Sequence, residues 1–525
     1  MKRFWHPETG FFLLLWLILM IGGRSRFFKD PGTFWHTVVG EQMLSGHRLI
    51  FQDSFSFTFA GQRWSPHQWL GECLMALVHR LDGLDSLLLS TVTLLACLYT
   101  WLASRLLRAG FHWAAVAVLV ALTIGASSSH FHIRSHLGTI VGLACTFAFL
   151  IDFDDGRIGA KHMFWLIPVY ALWTNIHGGM LGGLATMIFA TSGWAVWKML
   201  GLPSPLVRYR DLAPLALLIV CCALTAFVNP YGMRLPEIWL EIMDSPVLPQ
   251  IIQEHAPLNL AKPDGIMVAL FAAIYLLCLA GVMPQWPRVS WLLPLIWLVE
   301  AWSRVRHGPL FAITAALAVA DMFPSTRWAA WLSKSGSDLF QYPVRRSNDR
   351  QSRDWRPALL PGLLVLTAFV LQVFHWPVPI IGHEWARLDP NYWPVETLPT
   401  LRQFEQSRSQ GTRLFNEYLF GGFLIYQTPG YRVFIDDRCE LYGDNWLKEY
   451  VDAETSGTEA YIEECQTKFG PMDFALTRTG SGFDRYFAHA PSWRLLHEGS
   501  AANFYERRRP TNLDAPSANE TVQAQ

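Results

Sequence analysis

Charge is what this chain has least of. Asp, Glu, Lys and Arg make up only 16% of 525 residues, and acids and bases cancel at 42 each. Zero net charge leaves no global attraction to nucleic acid, and so little charge beside 51% hydrophobic residues excludes an ordinary soluble enzyme of this length. Cysteine is scarce where it would inform: Cys97, Cys145, Cys221, Cys222 and Cys278 lie inside apolar runs and read as small buried thiols. Only Cys439 and Cys465 are placed to pair, if their domain faces an oxidising compartment. There is no internal repeat and no half-to-half symmetry, which argues against an inverted-repeat transporter. No small-x-small cleavage site follows the first apolar run, so MKRFWHPETG and FFLLLWLILMIGG read as an uncleaved signal anchor.

Apolar stretches are what the chain has in quantity. A membrane helix needs roughly 20 such residues, fewer where flanking side chains snorkel. The qualifying stretches are 9–25, 84–104, 113–129, 137–153, 162–176, 179–198, 212–229, 264–283, 289–303, 307–322 and 358–375. An odd number of spans puts the chain ends on opposite sides. With Lys2 and Arg3 inside, the loops assigned inside carry Arg105, Arg108, Arg157, Lys161, Lys198, Arg208, Arg210 and Arg288. The segment Asn175–Gly178, on the other face, has neither Lys nor Arg, in keeping with the positive-inside bias. The expected fold class is an α-helical polytopic membrane protein of about 11 spans, N-in and C-out, in the inner (cytoplasmic) membrane. Its membrane domain is 1–375, with a long first outer loop at 26–83 and a basic cytoplasmic linker at 323–357.

Beyond the last span the pattern changes class. From Leu398, short apolar runs such as TRLFN, YRVFI and DFALTR alternate with amphipathic pieces of helical period. Residues 376–509 are therefore expected to form a small extracytoplasmic α/β domain, and the polar tail 510–525 to be disordered.

Sorted by side, the unusual polar residues gather on one face of the membrane. The first outer loop holds Asp30, His36, Asp53, His67 and Glu72; SSSHFHIRSH holds His130, His132, Arg134 and His136. TNIHGG brings Asn175 and His177, NPYG brings Asn229 and Tyr231 with Glu254 and His255 further on, and SRVRHGP brings Arg304, Arg306 and His307. Ionisable groups at membrane depth are costly, so their repeated use at one interface marks a functional face. Each also has a plainer use. Asp30 before Pro31-Gly32 starts a turn, Asn175 and His177 beside two glycines can cap a helix, Asn229–Gly232 is turn chemistry, and Arg304 and Arg306 can snorkel. His132 and His136, four residues apart, would share a helix face and could ligate a metal, or line a wet cavity.

Transfer of a group from a lipid phosphate would use all of these parts. Arg134, Arg304 and Arg306, with His307, would bind the anionic headgroup. Asp30, Glu72 or Asp53 would take the proton of an acceptor hydroxyl. Trp35, Trp64 and Trp69 would stack on sugar or anchor the loop at the headgroup layer. The remaining polar groups, His36, His67, His130, Asn175, His177, Asn229, Tyr231 and Glu254 among them, would line the cavity. The leaving phosphate would be stabilised by the arginines, or by a divalent metal held by Asp30 with histidines.

A signal anchor, a long outer loop opening on an acidic residue, many further spans and an outer α/β domain together resemble the C-type (GT-C) integral-membrane glycosyltransferases. The strings DPGTFWH, GQRWSPHQWLGE, WTNIHGG, NPYG and SRVRHGPLFA, with NEYLFGGFLIY and RVFIDDRCELYG, resemble a group of bacterial multi-spanning glycosyltransferase-like proteins. The resemblance implies inverting transfer of a sugar from a polyprenyl-phosphate donor to an envelope glycan, lipid or protein at the extracytoplasmic face. It puts Asp30 at the catalytic acidic position. Many such enzymes carry two adjacent acidic residues there, whereas this chain has Asp30-Pro31, which leaves Asp53 and Glu72 open as alternatives. A transporter or flippase for an envelope lipid or polymer, and a non-catalytic scaffold of envelope assembly, are the competing readings.

Overall fold

The computed structural model describes residues 6–342 and 356–508. The expectations for Lys2, Arg3, the middle of the basic linker and the tail 510–525 lie outside these residues. The chain is a multi-pass membrane protein of helices with a small C-terminal sheet. All eleven apolar stretches are helical, and nine helices among the described residues are long and apolar enough to cross a membrane. The other two stretches are shorter: 162–176 is carried mainly by Leu166–Ile176, and 289–303 breaks at Leu293 into Val289–Leu292 and Pro294–Ser303.

Two compact units make up the chain. The first runs to Gln52 and resumes from Arg63 to Leu388; the second joins Asp53–Gln62 to the chain from Asp389 onward. In the first unit, α1 (Pro7–Arg26) carries Arg24 in its last turn, and the Arg24 guanidinium donates to the carbonyls of Ile380, Ile381, Glu384 and Trp385. The segment expected as a long loop is largely helical. It contains α2 (Gly32–Gly46) and the first turns of α3 (Trp69–Arg108). Helix α3 breaks at Asp82-Gly83, where Gly83 has φ +61° and ψ −138°, a conformation open to glycine and little else. The apolar span read as 84–104 begins directly after this break. Helices α2 and α3 approach so closely at Gly40 that a Cβ there would lie 2.0 Å from the Glu72 carbonyl oxygen. Helix Gly308–Met322 is buried along nearly its whole length and forms the centre of the bundle.

The second unit is an α/β domain. Strands β1 (Thr412–Asn416), β2 (Tyr431–Val433) and β3 (Phe474–Arg478) are parallel; β4 (Trp493–His497) and β5 (Ala502–Arg507) add an antiparallel edge, in the order β2-β1-β3-β5-β4. β1 and β3 are buried almost throughout, as parallel strands covered on both faces must be. Cys439 and Cys465, which the sequence left able to pair, are both free and buried. The Cys439 thiol lies 3.1 Å from the Tyr418 hydroxyl.

Candidate functional site

The Asp-Pro-Gly turn that opens the first loop is also the centre of the polar cluster. Asp30 is 6% exposed, and its Oδ1 accepts from the Gly32 amide at 2.7 Å, so it starts α2 as a turn residue would. The same carboxylate faces Arg134, whose Nη1 lies 3.2 Å from Oδ1 and 3.1 Å from Oδ2. Arg134 reaches the site because Ile133 is pinned at both ends of its peptide: its amide donates to Phe27 and its carbonyl accepts from the Thr33 hydroxyl.

Behind this ion pair stands a second pair. His36 and Glu72 are fully buried, with Nδ1 and Oε1 2.8 Å apart, and His36 Nε2 is 3.4 Å from Arg134 Nη2. Burial and then the nearby Arg134 hold His36 well below the usual histidine range, so its ring is neutral. The network assigns the tautomer: Nδ1–H donates to Glu72, and Nε2 accepts from Arg134. Glu72 thus orients His36, His36 steadies Arg134, and Arg134 fixes Asp30. A Cβ on Gly32 would lie 2.7 Å from Arg134 Nε and 2.8 Å from Asp30 Oδ1. Gly32→Ala is therefore expected to leave thermal stability near wild type while cutting turnover by about 10-fold or more, since small misplacements of reacting groups are that costly.

The other polar motifs divide into two groups. Asp30, His132 and Glu254 each present a ligand atom, all within 4.8 Å of one another. His130 Nδ1 is 3.5 Å from Glu254 Oε1, and His136 Nε2 donates to the His130 carbonyl with the two rings 4.1 Å apart. Arg306 Nη1 donates to His255 Nε2 at 2.6 Å. Burial, followed by Arg306 and Arg304, lowers the pKa of His255 to about 4, and its Nδ1 is buried without a partner among the described residues. His255 stood among the polar residues of this face in the sequence, but no role was assigned to it, because its partner Arg306 lies 51 positions away.

The second group serves the scaffold. Asn175 accepts from Trp69 Nε1 and donates to the carbonyls of Ala171 and Val228. His177 Nδ1 accepts from the Gly179 amide and meets Thr139. Asn229 ties its own turn to the Tyr231 amide, and the Tyr231 hydroxyl points at Met43 sulfur, 3.9 Å away. His307 turns to the Glu300 carbonyl, and His67 pairs with Gln68. Asp53 belongs to the second unit, where its two oxygens are taken by the Phe55 and Ser56 amides, the Ser56 hydroxyl and Arg438.

The trio Asp30, His132 and Glu254 fits a divalent cation by chemistry. It combines two carboxylates with an imidazole, and His132 Nδ1 is buried with no hydrogen-bond partner among the described residues. Among the described residues no further histidine joins that trio; His136 braces His130.

The sequence matches no protein-family model and no curated protein sequence. Solved structures do match. The oligosaccharyltransferase of Archaeoglobus fulgidus in its apo form aligns with 91% of this chain and 70% of its own, at 12% identity and a TM-score of 0.50. The arabinofuranosyltransferase AftD from Mycobacteria aligns with 95% of this chain at 12% identity and a TM-score of 0.51, this chain spanning 41% of it. The fold is that of the GT-C glycosyltransferases. At such low identity the likeness is one of fold, and the GT-C architecture is the polytopic helical class that the sequence led us to expect. In this chain the acidic residue after the first helix is Asp30, and it is held by Arg134.

Proposed function

We propose that the chain is a membrane glycosyltransferase that moves a sugar from a polyprenyl-phosphate donor to an envelope acceptor at the extracytoplasmic face. The observation that carries this reading is the meeting of Asp30, Arg134, His132 and Glu254, residues far apart in sequence, in a chain with the GT-C fold. The fold neighbours named above are, by their names, enzymes that transfer sugars.

In the proposed reaction the acceptor hydroxyl gives its proton to Asp30 as its oxygen bonds to the anomeric carbon. The bond from that carbon to the phosphate oxygen breaks, and polyprenyl phosphate leaves with inversion. Arg306, braced by His255, and Arg304 beside it supply the positive charge that receives the phosphate. Arg134 is committed to Asp30, so its part is to orient the base instead of gripping the donor. Asp30, His132 and Glu254 would hold a divalent metal, which when bound stabilises charge on the leaving phosphate as a Lewis acid. Glu72, paired to His36 and buried, supports the cluster from behind.

The test is direct. Purified full-length protein is incubated with polyprenyl-phosphate sugars of several kinds together with an envelope extract as acceptor. Release of free polyprenyl phosphate from at least one donor is the expected result; intact donor in every case would sink the proposal.

A further inference from the structure

The middle of the long first loop takes no part in the polar cluster, yet the chain treats it with unusual care. Residues 53–62 leave and re-enter the first unit through a narrow neck. Gln52 and Arg63 pair as an antiparallel bridge, and the Trp64 amide donates to the Phe51 carbonyl at 3.0 Å. Just beyond, the Asp53 amide donates to the Gln62 carbonyl at 2.9 Å.

Past the neck the segment is built into the second unit. Ser56 runs parallel to Val433 of β2, with the Phe57 amide donating to the Val433 carbonyl at 3.0 Å and the Val433 amide to the Phe55 carbonyl at 3.1 Å. The Thr58 hydroxyl donates to the Phe434 carbonyl, and the Phe59 ring meets Tyr442 and Trp446 at 4.9 and 5.2 Å. Asp53 closes the grip: Arg438, fully buried, lies 2.7 Å from its Oδ1 and 2.6 Å from Asp436 Oδ2. A segment with only ten residues that satisfies this many partners is an integral part of that unit, not a loop resting on it.

On the other side of the neck the same chain leads into the site. Trp64 is 3% exposed and sits edge-on to Trp35 with ring centres 5.9 Å apart. The Trp35 ring lies tilted over His36 at 3.6 Å, and His36 is the residue shared by Glu72 and Arg134. Closely packed rings do not slide freely past one another, so a shift of Trp64 must be taken up by Trp35 and His36.

We infer that Trp64 is a positioning residue for the candidate site. The neck pairing of Phe51 and Gln52 with Arg63 and Trp64 holds the Trp64 ring against Trp35, and that contact sets His36 and, through it, Arg134 around Asp30. Trp64 acts through Trp35. The inference rests on the proposed transferase reading only for its turnover readout, and the exchange readout below stands without it.

Trp64→Ala in the full-length protein removes the ring that meets Trp35 and leaves the backbone pairing of the neck in place. Hydrogen exchange at the Phe57 and Val433 amides should stay slow. Exchange at the His36 and Thr37 amides should rise, and turnover fall, each by about 10-fold at little change in donor affinity. Trp64→Phe should largely restore both. Unchanged exchange at His36 and Thr37 in Trp64→Ala overturns the inference, as does a rise there that Trp64→Phe leaves uncorrected. If wild-type protein shows no transfer at all, the proposed function fails while the exchange comparison still decides this point.

Discussion

Asp30→Asn is expected to lower single-turnover release of polyprenyl phosphate by roughly 10²–10⁴-fold, the range over which positioned acid–base groups act. The substitution is nearly isosteric. The Asn side-chain oxygen can still accept from the Gly32 amide, now 2.7 Å from Oδ1, so α2 keeps its start. What is lost is the negative charge and second acceptor oxygen facing Arg134, the capacity to take a proton, and a carboxylate ligand for any metal held with His132 and Glu254. Expression, thermal stability and donor affinity should change little, and the loss should appear in the rate of the chemical step. Turnover within a few-fold of wild type would remove Asp30 from the role of base. Glu72 would not inherit that role easily, because it is 1% exposed and already faces the His36 ring.

Arg438→Met is expected to be the most damaging single change to stability. Burial opposes the charge of this arginine, but Asp436 and Asp53 facing it hold its pKa well above the ordinary value. Asp436 also accepts from the Tyr442 hydroxyl at 3.0 Å, and the Arg438 side chain is 0% exposed. Removing the cation leaves two buried carboxylates facing each other, a defect that typically costs about 3–5 kcal/mol. Unfolding of the full chain followed by hydrogen exchange should show early loss of protection at Phe57 and Val433. Asp53→Asn, which leaves Arg438 with Asp436, should be much milder. Equal stability of Arg438→Met and wild type would mean that the triad carries no weight in the second unit.

The membrane helices were legible in the sequence because length and hydropathy suffice for them: the eleven apolar stretches are all helical, and the span beginning at residue 84 starts just past the Gly83 break. The α/β class of the second unit was legible from strand-length runs such as TRLFN and FALTR. The polar residues to watch were also visible, since Asp30, Arg134, His132 and Glu254 stand out in loops between apolar runs. Their partners were not. That Arg134 faces Asp30 depends on Ile133 being pinned by Phe27 and Thr33, a tertiary fact with no local signature. Asp53 looked equivalent to Asp30 as a loop carboxylate because nothing in a linear reading shows that ten residues of the loop belong with a unit nearly four hundred positions later, bridging to it at Ser56 and Val433. The apparent loop at 26–83 hid α2 for a related reason. Its apolar positions are buried by packing on α3, but its sequence, GTFWHTVVGEQMLSG, carries three glycines and several β-branched residues that weaken any helix signal.

Polyprenyl phosphate is the product whichever sugar the donor carries, so its binding tests the central claim without knowledge of the sugar. Purified full-length protein and Arg306→Ala, each in lipid nanodiscs, are titrated with polyprenyl phosphate against a phospholipid of matched charge. Saturable binding that the phospholipid does not displace, weakened about 10-fold or more in Arg306→Ala, is the result predicted by a phosphate site built on that arginine. Binding that the phospholipid displaces equally, or that is the same in both proteins, would contradict it.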